Sequence, residues 1–239
     1  MIGTLINVVT ILIGGTLGTV MGSRIPERIR NTVVSGLGLF VLAYGVSMFL
    51  DTQNTLLVCG SLLIGGLLGE WWKIEDGLAK LGAWLQTKFI KSNGDADADD
   101  GRFIKGFVMA SLVFCIGPMA ILGSIQDGLT GDYNMLAVKA VLDGFAALAF
   151  ASSLGVGVIF SSVMVFVYQG TISLLANQVQ AIVTDPMMLE MNAVGGVIVM
   201  GIAISSLLEL RKIRLGSFLP ALVIAPLLVA LLELLGVGL

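Results

Sequence analysis

Long runs of apolar residues, separated by short polar segments, recur from one end of the chain to the other. Each run is close to the roughly 20 residues that an α-helix needs to cross the hydrocarbon core of a bilayer. Transmembrane β-strands show a weaker, alternating pattern, so these runs indicate helices. The pattern therefore predicts an all-α, polytopic membrane helix bundle with about eight spans. The predicted spans lie near residues 3–22, 32–50, 55–72, 103–123, 135–152, 156–176, 188–208 and 218–238.

The fourth predicted span contains a break at Gly117-Pro118. Proline has no amide hydrogen and crowds the carbonyl one turn earlier, while glycine lowers the cost of a bend. Non-helical backbone at membrane depth is tolerated where protein or a water-filled cavity satisfies its polar groups. Broken helices of this kind build solute sites in transporters, although a plain proline kink is the alternative.

A polar segment separates the third and fourth spans. Residues 92–102, "SNGDADADDGR", predict an acidic linker between an N-terminal three-span bundle, 1–91, and a C-terminal five-span bundle, 103–239, which carries the predicted site. The first bundle ends in a cytoplasmic amphipathic helix over 73–91, where apolar residues recur on one helical face. This helix either lies on lipid or packs against its own bundle.

The composition excludes an ordinary soluble domain, because 56% of the residues are hydrophobic, 12% are charged and the mean hydropathy is +1.00. Histidine is absent, which excludes histidine metal sites, histidine proton relays and histidine-dependent catalytic triads. No basic patch suggests a nucleic-acid partner, and no cofactor is expected. The expected partners are the lipid bilayer and a small solute or cation.

The basic residues predict the orientation in the membrane, because Lys and Arg collect in short cytoplasmic loops. Of the thirteen Lys and Arg residues, all but Lys139 lie after spans one, three and seven. This placement predicts a multi-pass protein of the bacterial cytoplasmic membrane with its N terminus outside. The first run lacks the leading basic residues of a cleavable signal peptide, so it is expected to remain as a span.

Glycines line one face of the first span, where Gly14, Gly18 and Gly22 recur at every fourth residue. Small residues at this spacing let another helix approach closely. The motif "LIGGTLG" at 12–18 is echoed by "LIGGLLG" at 63–69, so spans one and three resemble each other. This amount of close-packing surface predicts a homo-oligomer, with a dimer favoured; the alternative is that the glycines pack helices within one chain.

Asp143 is the strongest candidate for chemistry, because an ionisable group at membrane depth usually faces the bundle interior or a wet cavity. Lys139 lies four residues earlier, on the same helical face, and could either pair with Asp143 or extend to the outer surface. Asp127 is expected at the outer mouth, in contact with water. The complete predicted pathway comprises Gly117, Pro118, Ser124, Gln126, Asp127, Lys139, Asp143, Ser152, Ser153 and Gln169.

Four segments carry a resemblance to a known family: "LINVVTILIGGTLGTVMGSRIPERIR", "GPMAILGSIQDGL", "LDGFAALAFASSLGVGV" and "VYQG". With them, the chain resembles the bacterial YdfK/YqgA-type family of uncharacterised membrane proteins over nearly its whole length. The resemblance implies a polytopic membrane protein, with transport as the expected role.

These features together predict a membrane transporter or channel, and not an enzyme, for a small cation or an ion-coupled small solute. Asp143 would supply the charge, while Ser, Gln and carbonyls freed near Gly117 would supply neutral oxygen ligands for a hard ion. One alternative is a non-transporting membrane scaffold or accessory subunit. Another is an intramembrane enzyme, which would need a Ser-Lys or Cys-based nucleophile in the absence of histidine.

Overall fold

The structure, a computed structural model, describes residues 1–22, 26–89 and 96–235. Within these ranges the regular structure is helical and contains no strand. The helices are α1 (Ile2–Gly22), α2 (Glu27–Leu50), α3 (Thr55–Trp71), α4 (Ile74–Phe89), α5 (Ala96–Cys115), α6 (Pro118–Leu129), α7 (Asn134–Leu154), α8 (Gly157–Leu174), α9 (Ala176–Gln180), α10 (Asp185–Ile202) and α11 (Ala221–Leu234). A π-helical turn at Ala203–Leu207 extends α10, and a 3₁₀ turn at Leu215–Phe218 precedes α11.

Six helical segments of the described chain are long and apolar enough to cross a membrane. Two helix pairs also pass this criterion together, α3 with α4 and α5 with α6, which bend by 57° and 63° respectively. Counting each bent pair as one span gives eight spans. The prediction of an all-α polytopic membrane bundle with about eight spans is therefore confirmed.

The predicted break in the fourth span is confirmed. Helix α5 ends at Cys115, and α6 begins at Pro118, where the missing amide hydrogen of proline does no harm. Gly117 joins the two helices with a φ of 134°, in a region that disfavours residues with a side chain. The local chemistry of these two residues is sufficient to explain why the helix stops here.

The chain forms two compact units, and each unit combines segments that are distant in sequence. The first unit comprises Met1–Leu37 and Ala79–Val179, and the second comprises Gly38–Leu78 and Gln180–Leu239. This division differs from the predicted bundles. Of the predicted acidic linker, the segment before Ala96 lies outside the described residues, and Ala96 already belongs to α5.

The glycine face of α1 packs against the backbone of α7 inside the first unit. A Cβ atom added at Gly14, Gly18 or Gly22 would lie 2.1–2.2 Å from a carbonyl oxygen of α7. The three carbonyls, in the same order, belong to Gly144, Leu148 and Ser152. The contacts advance together, so the two helices run parallel. These glycines are used within the chain, which corrects the argument that they leave surface for a partner subunit; the oligomeric state itself stays a prediction.

The echoed motif in α3 has the same role in the second unit. A Cβ atom at Gly65 would lie 2.4 Å from the backbone nitrogen of Ala221, and one at Gly69 would lie 1.9 Å from the carbonyl oxygen of Ser217. These contacts run in opposite directions along the chain, so α3 is antiparallel to the segment that it packs against. Both copies of the motif therefore serve close helix packing.

The predicted amphipathic helix corresponds to α4. Its Leu85 is buried in an apolar cluster with Phe103 and Phe107 of α5, whereas Leu81 and Trp84 are exposed. On one side, through Leu85, the helix therefore packs against α5, within the first unit. Its other side presents large apolar side chains of the kind that contact lipid at a membrane interface.

Candidate functional site

Helix α7 carries Lys139 and Asp143 on its buried face, one helical turn apart. The two residues are only 6% and 8% exposed, and Lys139 Nζ forms an ion pair with Asp143 Oδ2. Lys139 therefore does not extend to the surface, because its ammonium group points at the carboxylate on the following turn. A buried charge is stable only when it is paired and hydrogen-bonded, which this geometry provides.

Lys139 also connects Asp143 to the broken span, because its Nζ donates to the carbonyl oxygen of Phe114 at 2.8 Å. In a continuous helix, that carbonyl would accept from the amide of residue 118, four positions later. Pro118 has no such hydrogen. The lysine thus replaces the donor that proline removes, and the break and the buried ion pair form one structure.

Helices α1 and α8 complete the network. Asn7 Nδ2 donates to Asp143 Oδ2 at 3.0 Å and lies 3.4 Å from Gln169 Oε1. Both amide residues are fully buried. We call the set Asn7, Lys139, Asp143 and Gln169, together with the Phe114 carbonyl, the polar network.

The chain does not satisfy every polar atom around this network. Asn7 Oδ1, Gln169 Nε2 and Thr4 Oγ1, one turn before Asn7, are buried and have no hydrogen-bond partner within the described part of the chain. A buried polar group without a partner costs about 1–3 kcal/mol. These three atoms therefore carry hydrogen-bonding capacity that the described chain does not use.

The polar network lies near the middle of α7, which is long and apolar enough to cross a membrane. Asp143 is nine residues beyond Asn134, the start of α7. At 1.5 Å per residue, that distance is about 14 Å along the helix, near the middle of a hydrocarbon core of about 30 Å. The network therefore lies where a transport site is expected. It is also as buried as polar residues that only hold helices together.

Asp127 forms a separate contact at the start of α1. Its carboxylate accepts from the amide of Gly3 at 3.0 Å and from the ammonium group of Met1 at 2.9 Å. Asp127 is only 3% exposed, so the expectation of a water-accessible residue at an outer mouth is wrong. Unpaired amides at a helix start favour a carboxylate, which explains the burial.

The predicted residues of α6 divide between the bundle interior and its surface. Ser124 is buried, and its hydroxyl donates to the Ala120 carbonyl of its own helix. Its own carbonyl accepts from Ser173 of α8 at 2.9 Å. Gln126, by contrast, is exposed, so its side chain does not join the polar network.

Ser152 and Ser153 lie at the opposite end of α7 from the start of the helix. The Ser152 hydroxyl donates to the Ala149 carbonyl, and the Ser153 carbonyl accepts from the guanidinium group of Arg102 at 2.7 Å. They are nine and ten residues beyond Asp143, about 14 Å along the axis. The structure does not bring these serines to the polar network.

The predicted pathway does not include Asn7, which is a member of the network. Its contact with the Asp143 carboxylate is a hydrogen bond between α1 and α7. The Phe114 carbonyl is one of the carbonyls that the sequence expects to be freed near Gly117, because the carbonyl four residues before a proline in a helical run loses its donor. Its bond with Lys139 was not expected.

Glu190 is a second buried acid, 1% exposed, and lies in the second unit. Its carboxylate accepts from the Thr52 hydroxyl at 2.6 Å and from the amides of Gln53 and Asn54 at 2.8 and 3.1 Å. Nearby, Asn192 donates to Asp51 at 3.2 Å. These bonds hold the turn that precedes α3, so they explain the buried acid without any ligand.

Known proteins resemble the chain over almost its full length. The family described as "Protein of unknown function (DUF554)" matches residues 2–230. The "Uncharacterized membrane protein YdfK" of Bacillus subtilis (strain 168) is 30% identical over 240 residues, which cover 99% of each chain. The "Uncharacterized protein YqgA" of Escherichia coli (strain K12) is 32% identical over 224 residues, which cover 94% of each chain. No solved structure matches the chain significantly. The family resemblance predicted from the sequence is confirmed.

Proposed function

The chain belongs to the DUF554 family of proteins of unknown function, and from that membership and its membrane fold we propose that it is a transporter or channel for a small cation or an ion-coupled small solute. The proposed pathway passes the polar network of the first unit. The observation that carries the proposal is the Lys139 ammonium group, which bridges the orphaned Phe114 carbonyl of the broken span to Asp143 at membrane depth.

Stability alone is a weak reason for this arrangement. A buried ion pair often contributes less than a well-packed apolar pair of similar volume, because both charges lose their hydration. Ionisable residues within membrane spans usually mark ion or solute paths. The unpartnered atoms of Asn7, Gln169 and Thr4 add polar groups that a scaffold would not need.

The location and assembly belong to the same proposal: a multi-pass protein of the bacterial cytoplasmic membrane, N terminus outside, assembled as a dimer. The distribution of the basic residues supports this orientation. The parallel course of α1 and α7 is consistent with it, because spans one and five would then both run inward.

The charge of Asp143 should be required for flux. We expect Asp143→Asn, which keeps the shape of the side chain and removes its charge, to reduce flux in proteoliposomes by at least about tenfold, the size of effect expected when a transition-state interaction of 1.4 kcal/mol is lost. The cargo is first identified with the unmodified protein by a screen of alkali cations, protons and small ionic solutes.

The matched control is Asp185→Asn, the same change at an exposed acid of the second unit. It should leave flux unchanged. Gel filtration and thermal unfolding in detergent establish that each variant folds. If a folded Asp143→Asn protein transports as well as the unmodified protein, the pathway does not use this charge.

The alternative, a non-transporting scaffold or accessory subunit, is favoured by one observation: both charges of the network find partners within the chain. That alternative predicts no flux of any cargo by the unmodified protein. It also predicts that Asp143→Asn changes only the unfolding temperature.

A further inference from the structure

The Lys139 ammonium group is bound by two oxygen atoms of the chain. It contacts the carbonyl oxygen of Phe114 at 2.8 Å and the carboxylate oxygen Oδ2 of Asp143. Carbonyl and carboxylate oxygens are the ligands that alkali and other hard cations prefer. The carbonyl is available only because Pro118 ends the regular hydrogen bonding of the fourth span.

We propose that these two oxygens form a binding site for a monovalent metal cation, which Lys139 fills with its own ammonium group. The cation, as cargo or as coupling ion, binds by displacing Lys139 Nζ. This inference rests on the proposed function, because it names the class of ion that the polar network accepts.

The charges of the network favour a monovalent ion. The described residues of the network contain one carboxylate and one ammonium group, so their charges cancel. Once the ammonium group has moved away from the two oxygens, an alkali cation in its place balances the Asp143 carboxylate, whereas a divalent ion would leave an uncompensated positive charge in a buried site. In addition, no group of three or more His, Cys, Asp or Glu residues suited to a metal ion occurs in the described ranges.

Neutral oxygen ligands are available beside the two charged groups. Asn7 Nδ2 lies 3.0 Å from Asp143 Oδ2, while Asn7 Oδ1 is buried without a partner in the described chain. Rotating the amide by half a turn about its last torsion exchanges these two atoms, and that torsion has broad, two-fold preferences. The oxygen would then face the carboxylate, which is favourable only with a cation between them.

Displacement of Lys139 would link ion binding to the broken span. The Phe114 carbonyl, at the end of α5, would exchange a tethered donor for a free ion. The ammonium group of Lys139 would lose both of its partners and would have to move. The Lys139 ammonium group and the free ion thus compete for the same oxygens. Binding of the ion would therefore break the contact between Lys139 of α7 and the Phe114 carbonyl at the break in the fourth span.

The test removes the tethered competitor. Equilibrium binding of radioactive ²²Na⁺ and ⁸⁶Rb⁺ is measured on the purified full-length protein, its Lys139→Met and Lys139→Gln variants, and Lys139→Met combined with Asp143→Asn. In the unmodified protein a free ion can bind only while Lys139 is out of the site, so the apparent affinity for the ion falls in proportion to the fraction of time that the site is open. We therefore expect each single variant to bind one of these ions at least about tenfold more tightly than the unmodified protein does. The double variant should lose this binding.

A measurement on the unmodified protein covers the case in which the variants do not fold. Saturating Na⁺ or K⁺ should raise its unfolding temperature above the value in choline chloride at equal ionic strength, because ligands that bind only the folded state stabilise it. Equal unfolding temperatures in all three salts would contradict the proposal.

Equal affinities of the folded Lys139 variants and the unmodified protein would also overturn it. The proposed cation site and the proposed transport function can be rejected independently of each other. Tight binding without flux of any cargo supports the cation site and removes the transport function, whereas flux that depends on Asp143 without tighter binding in Lys139→Met removes the cation site alone.

Discussion

Two buried carboxylates in this protein bind backbone amides at a helix start or in the turn just before one, rather than line a pathway. Asp127 accepts from the amide of Gly3, and Glu190 accepts from the amides of Gln53 and Asn54 before α3. The first amides of a helix have no partner within it, and the aligned peptide dipoles favour negative charge there. Burial of an acid is therefore not by itself a sign of ion transport. Asp143 differs because its bonds come from two side chains, Lys139 and Asn7, whereas Asp127 and Glu190 each accept from backbone amides.

Glu190→Gln tests this interpretation. The amide can accept from fewer donors than the carboxylate and turns its own NH₂ group toward other donors, so we expect a loss of about 1–3 kcal/mol in the free energy of unfolding. Denaturant unfolding in detergent measures this loss. Glu233→Gln, the same change at an exposed position of α11, is the control and should have little effect. Equal effects of the two substitutions would show that the bonds of Glu190 add no stability.

At the scale of the element, the shared glycine motif fixes how closely helices approach. In α1 the glycines meet carbonyl oxygens of α7, where even one added carbon has no space. Because interiors are close-packed, an added side chain must move a whole helix. The parallel pair α1 and α7 then carries Asn7 and Asp143 toward each other, so the packing of the glycines positions the polar network.

Gly18→Leu should disrupt this pair. A Cβ atom there would lie 2.2 Å from the Leu148 carbonyl oxygen, and overpacking of a tight core costs about 1–3 kcal/mol or more. We expect a lower unfolding temperature or a failure to fold, as measured by gel filtration and thermal unfolding. Gly36→Leu in α2 is the matched control, because a Cβ atom there meets nothing within 4 Å. A well-folded Gly18→Leu protein would rule out the close approach of α1 and α7.

At the scale of the whole molecule, each of the two units draws on both parts of the chain. Many large apolar side chains remain exposed along the spans, including Leu39 and Phe40 of α2 and Phe145 of α7, each at least 60% exposed. In a soluble protein such surfaces would aggregate. In a bilayer they contact lipid, so exposure and burial divide the spans into lipid-facing and interior sides.

The orientation of the molecule can be tested by cysteine labelling in intact cells. In a Cys59→Ser, Cys115→Ser background, we expect Gly94→Cys to react with an impermeant maleimide only after permeabilisation, because the basic residues place its loop inside. Asp132→Cys, in the loop before α7, should react without permeabilisation. The reverse pattern of labelling would invert the topology.

The sequence by itself determined the membrane class, the all-helical bundle and the break in the fourth span. These properties depend on local facts: the length of an apolar run against the thickness of a bilayer, and the missing amide hydrogen of Pro118. The same is true of the spacing of Lys139 and Asp143, because residues four apart on a helix share one face.

Only the tertiary structure decided which distant groups meet. Asn7 and Asp143 are separated by 136 positions, and no pattern within one helix relates Lys139 of α7 to the Phe114 carbonyl of α5. The burial of Asp127 and Glu190, and the use of the α1 glycines within the chain, likewise depend on the neighbouring helix. Contacts of this kind arise when helices pack together. The polarity pattern of one helix shows which face is buried but does not show which helix covers that face.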